Sequence, residues 1–143
     1  QNETSTNKIN YWSLDFDASA DENAEWTIAM PPDWDAGTIT ATFYWSHGNT
    51  TINFDVVWGC KCRAFANDDA IDQAFGTAQI VTDTGGTTAD LYITPVTSAI
   101  TCAGSPVAGQ LVQFKCYRDA DNGSNTLAID ARLIGITITF TRI

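Results

Sequence analysis

Four cysteines pose the first chemical question of this chain. Cys60 and Cys62 flank one lysine in "VVWGCKCRAF", and Cys102 and Cys116 follow later. A zinc or iron–sulfur centre usually takes its first two thiolates from a turn, as in Cys-x₂₋₄-Cys. A Cys-x-Cys pair inside an extended run sends both thiols to one face and does not wrap an ion. Redox dithiols normally open a helix whose N-terminus stabilises the thiolate, and no helix begins here. All four are therefore expected to be buried structural cysteines, paired or free. Three pairings are open to four cysteines.

Other candidate chemistry is sparse. The single histidine, His47, is expected in a turn beside Gly48, and Ser46 would face the opposite way on a strand, so the two form no nucleophile–base pair. No serine sits in a G-x-S-x-G context. Asp15 and Asp17 share a face, as do Asp33 and Asp35 around Trp34, but a solvated pair of carboxylates has nothing to raise one pKa for acid–base work. The chain is expected to be no enzyme. "RDADNGSN" crowds Asp119, Asp121 and Asn125 around Gly123, a weak set of calcium ligands without the EF-hand order. Calcium is thus the one cofactor worth naming, against a plain Asn-Gly turn. Trp34 in the loop "PPDWDAG" is expected either to close one end of the fold or to meet a partner or glycan. Tyr44 and Tyr117 point outward and are further contact candidates.

The elements that hold these residues alternate with period two. Trp12, Leu14 and Phe16 form one apolar row. Trp26, Ile28 and Met30 form another, as do Ile39, Ala41, Phe43 and Trp45. Near the end come Ile134, Ile136, Ile138 and Phe140, opposite Thr137, Thr139 and Thr141. Further runs begin at residue 53, at "AQIVT", at "DLYIT" and at "LVQFKCYR", separated by "SHGN", "DTGGT", "AGSPVAG" and "DADNGSN". One segment reads as a short helix near residues 68–75, capped by Asn67 or Asp68 and stopped by Gly76. About eight strands and one helix predict an all-β, two-sheet antiparallel sandwich of jelly-roll topology. Residues 1–8 read as a flexible polar lead-in and 9–143 as a single domain. In a jelly roll the fourth and seventh strands are neighbours. Cys60 or Cys62 then lies close to Cys116 and the other reaches Cys102, so two bridges are expected, in an oxidising setting or a thermophilic host.

Composition narrows the partners. A formal charge of −10 repels nucleic-acid backbones and acidic membranes alike. No apolar run approaches the length of a membrane-spanning helix, so neither nucleic acid nor membrane insertion is expected. Twenty threonines favour strands over helices.

The stretches "YWSLDFDASADENAEWTIAMPPDWDAGTITATFYW", "AFANDDAIDQAFGTAQIVTDT" and "YRDADNGSNTLAIDARLIGITITFT" resemble a jelly-roll domain of structural and tail-fibre-like proteins of tailed bacteriophages. The resemblance spans about Tyr11 to Thr141. It implies a virion structural role as a decoration, fibre or capsid-associated domain. It also implies homo-oligomers, often trimers, that contact other virion proteins or a host surface on the virion exterior or another extracellular site. It supplies no catalytic residues. A carbohydrate-binding module used for attachment is the alternative that the aromatic content allows.

Overall fold

A computed structural model of the chain describes residues 1–48 and 54–143. The run expected from residue 53 is described from Phe54, and the turn expected at "SHGN" leaves the described residues at Asn49. The alternating segments form β3 (Leu14–Phe16), β4 (Asn23–Ala29), β5 (Trp34–His47), β6 (Phe54–Phe65), β7 (Gln79–Gly85), β8 (Tyr92–Ile93), β9 (Leu111–Arg118) and β10 (Ala131–Arg142). They make two four-stranded antiparallel sheets, ordered β3-β10-β5-β8 and β4-β9-β6-β7. Except for β6 and β7, which pair within one sheet, consecutive strands alternate between the sheets in the interleaved order of a jelly roll, as the sequence predicts. Ahead of them, β1 (Asn2–Glu3) pairs with β2 (Asn10–Tyr11). The polar lead-in is thus folded back as a small ladder, with a Lys8–Glu3 ion pair at 3.4 Å.

Large side chains meet between the sheets. Trp58 of β6 is fully buried, with Phe43 stacked on it at 5.5 Å and Phe16 edge-on at 5.2 Å. The inward row of β5 is Ile39, Ala41, Phe43 and Trp45, all buried as expected. Trp45 also crosses the core by donating its indole N–H to Asp83 of β7 at 2.7 Å.

Beyond β8 the chain continues along β5 without regular strand geometry, because Pro95 has no N–H to offer. Two threonines complete the edge. The Thr94 and Thr97 hydroxyls accept the backbone N–H groups of Phe43 and Ala41 at 3.1 and 3.0 Å. Both threonines are buried. The segment bridges Ile100 to Ile39, then crosses to the other sheet and bridges Ala103 to Arg63.

Three expectations need correction. No helix forms near residues 68–75; the segment is turns and bends. Asp68 adopts a left-handed φ of 71°, which ends any right-handed turn, and Ile71 is 84% exposed. Gly76, expected as a helix stop, serves a close approach instead: a Cβ there would lie 2.4 Å from the Thr101 carbonyl oxygen. Second, the inward row of β10 changes phase. A bulge between Leu133 and Gly135 turns Ile134 outward, so the row runs Ala131, Leu133, then Ile136, Ile138 and Phe140. Third, Trp12 and Leu14 keep the parity of Phe16 but are 73% and 56% exposed. Parity fixes direction, and here it points both side chains into an open groove rather than a closed core.

Arg118 ends the inward row Val112, Phe114, Cys116 of β9 and is fully buried. Its guanidinium donates to the carbonyls of Phe16 (3.1 Å), Ile129 (2.8 Å) and Leu127, and its Nε donates to Asn125 Oδ1 at 3.1 Å. It thereby ties β9 in one sheet to β3 in the other and to the loop entering β10. Arg118→Met strands three carbonyl acceptors, two of them buried, and should lower unfolding free energy by about 3 kcal/mol. Urea midpoints measure this, and a loss below about 1 kcal/mol would mean that the carbonyls find other donors.

Candidate functional site

One opening in the sandwich lies where β3 stops short. β3 pairs only with Ala131, Arg132 and Leu133 of β10, and β4 is the outer strand of the other sheet. Between them runs an open groove of about 360 Å³. Trp12 and Leu14 form one wall, Ala24 and Trp26 the other, and Ile134 and Ile136 contribute the floor. Trp26 is half-buried and stacks on Phe114 at 5.5 Å, so its position is fixed. Among the described residues no ring stacks on Trp12, which is 73% exposed. Ser13 contributes the only hydroxyl in the lining, so the groove suits apolar contact better than polar recognition.

The cysteines divide differently from the expected two bridges. Cys62 is joined to Cys102, closing a sequence separation of 40 residues between β6 and the crossover segment. Cys60 and Cys116 are free and buried, although they stand directly opposite each other on β6 and β9. The neighbour relation expected of the fourth and seventh strands is therefore correct, and one covalent link is present instead of two. Burial and the adjacent Cys60 thiol push the Cys116 thiol far up, so neither a thiolate metal ligand nor a nucleophile is favoured there.

An acidic cluster lies at one end of the sheets. Carboxylate oxygens of Asp21, Asp119 and Asp121 all fall within 4.8 Å of one another. Such oxygens are ligands a hard divalent ion such as calcium can bind, with water or carbonyls completing its shell. Asp119 and Asp121 belong to the loop singled out in the sequence, and the side chain of Asn125 has other partners. Its Oδ1 accepts from Arg118 and its Nδ2 donates to the Ala120 carbonyl at 3.3 Å. Asp21 takes the third place from the β3–β4 loop, held by the Ala120 N–H at 2.8 Å. Sequence reading missed it because the contact spans 98 to 100 residues of chain.

The remaining candidates have local duties. Trp34 is 1% exposed and offers no surface to a partner or glycan; it begins β5 and closes one end of the core. Tyr44 is half-buried, its hydroxyl 3.2 Å from the Thr137 hydroxyl. Tyr117 lies across Gly59, where a Cβ would come within 2.4 Å of its ring, and Lys61 sits 5.9 Å above the ring centroid. Burial, then Asp119 and Asp21, raise its phenol above the ordinary value. His47 lies at the end of β5 rather than in a turn, buried with its ring edge-on to Phe54 at 4.6 Å. The paired carboxylates are engaged separately: Asp33 with Arg142, Asp35 with the Gly37 N–H, Asp15 with Ser13, and Asp17 with Ser19. The Ser19 hydrogen bonds hold the Asp17 carboxyl below its usual range.

Compared with protein-family models, curated proteins and solved structures, the chain matches none.

Two outcomes follow from the cysteines and the acids. Alkylation of denatured, unreduced protein should label Cys60 and Cys116 only, and Cys62→Ala/Cys102→Ala should lose about 2–4 kcal/mol of stability. Labelling of all four thiols would remove the bridge. Calcium at roughly ten times its Kd should raise the melting temperature by about 4 °C. Asp21→Asn/Asp121→Asn should abolish the rise; an equal rise in that variant would place the ion elsewhere.

Proposed function

We propose that the chain is a non-enzymatic structural jelly roll of a virion exterior, a decoration, fibre or capsid-associated domain that works by association with copies of itself. The reading is supported first by the sequence resemblance, which spans most of the domain. The observation that carries its mode of action is the apolar groove between β3 and β4, with Trp12 73% exposed beside it. An exposed indole and a row of aliphatic side chains are unfavourable in water, and covering them with a like surface removes that cost. The partners are further copies, a trimer being the stoichiometry that the resemblance implies, then other virion proteins or a host surface. An extracellular location suits the Cys62–Cys102 bridge.

A second reading, a carbohydrate-binding module, draws on the same place. Trp12 and Trp26 on facing walls resemble stacking platforms for sugar rings. Sugars also need several polar groups at fixed positions, and the groove supplies one hydroxyl. That balance favours a protein partner.

Light scattering at micromolar concentration should give a mass that is a multiple of the 15.5 kDa chain. Trp12→Ala should shift the assembly toward monomer without changing the melting temperature of the monomer. A strict monomer that binds a glycan array through Trp12 would replace the structural reading with the module.

A further inference from the structure

Exposed strand edges recruit other strands, because their unpaired N–H and C=O groups seek partners. Chains commonly protect such edges with charge, proline or short length. Here β8 is two residues long and runs into Pro95. Asp83 lies on β7, and Glu25 lies mid-strand on β4 with Lys115 paired to it at 2.9 Å. β10 is the exception. Beyond Leu133, no strand among the described residues occupies the side that β3 leaves. The open run, "IGITITFT" over residues 134–141, has no charge and no proline. Its ladder with β5 is regular from Gly135 to Phe140, between two irregularities.

We propose that this open edge of β10 pairs antiparallel with the same edge of a second copy about a two-fold axis, joining two four-stranded sheets into one. The proposal rests on the self-association reading and names its surface. A backbone edge accepts an extended strand, not a helix or a sugar. Antiparallel pairing of identical edges is self-complementary, as an isologous contact requires. Charge selects a second copy. The chain carries −10 overall, yet β10 holds no acid, only Arg132 and Arg142, so approach along β10 brings the least like-charge repulsion. The antiparallel sense also carries the Arg142 end of each copy toward the β3 end of the other, where Asp15 and Asp17 lie. There it would cover Trp12 and Leu14, the exposed wall of the groove.

Thr137 and Thr139 are exposed on the outer face of β10, so charge there tests the edge without touching the core. The wild type should sediment at twice the chain mass. Thr137→Lys/Thr139→Lys and Thr137→Asp/Thr139→Asp should each weaken the dimer about tenfold or more, since like charges then face each other across the ladder. Mixing the two variants should restore the wild-type dissociation midpoint. Unchanged melting of the monomers, or the milder Thr139→Lys alone, guards against a folding defect. An oligomer that survives both double variants, or a wild-type trimer, overturns the edge pairing and leaves self-association standing. A wild-type monomer at the highest attainable concentration overturns both.

Discussion

The buried guanidinium of Arg118 decides how the two sheets meet. Burial lowers its pKa, while Asp130 and Asp17 act in the opposite direction. No carboxylate touches it; its direct partners are three backbone carbonyls and one amide oxygen. A planar fork of five donors can satisfy several carbonyls that a lysine ammonium would reach less well. Those carbonyls belong to Phe16, at the end of the shortest strand of the main sheets that flanks β10, and to the loop leading into β10. The position of β3 therefore depends on a side chain from the opposite sheet. Three ladder pairs alone would hold it weakly.

Other links complete the closure on the far side. The Cys62–Cys102 bridge fastens the crossover segment to β6, and Thr94 and Thr97 fasten its earlier part to β5. Trp45 and Asp83 join the sheets through one hydrogen bond; burial holds that carboxyl above its ordinary value despite the indole donor. These contacts seal the β7–β8 side. Among the described residues no disulfide or side-chain hydrogen bond joins β3 to β4, so the fold is closed along one flank and open along the other.

Sequence periodicity revealed the strands of the two main sheets and the inward row of β5, because side-chain direction alternates whatever lies opposite; the jelly-roll order came from their number. It could not reveal cover. Trp12 and Leu14 point the same way as Phe16, yet only Phe16 meets the other sheet. The bulge at Ile134 was hidden because "LIGITI" reads as one phase until Gly135 is paired with Tyr44. Arg118 was legible in principle: it continues the inward row of Val112, Phe114 and Cys116, where a cation demands a polar nest. Asp21 was not, since only the folded chain brings the β3–β4 loop to Asp119. The short helix failed for a local reason, the left-handed backbone at Asp68. Trp34 lay in a segment rich in proline and aspartate that looks like a loop but opens the longest strand.

The open flank and the charge distribution constrain each other. An acidic chain of this size repels its own copies at most orientations. An apolar surface elsewhere would be shielded by that repulsion even if it were sticky. The groove and the bare run of β10 lie on the same flank, and β10 is the one long strand of the β3 sheet without an acid. Hydrophobic attraction, unpaired backbone groups and weakest repulsion therefore coincide in one direction of approach. That coincidence is a consequence of a short β3: lengthening it by a few residues would pair the edge and cover Trp12.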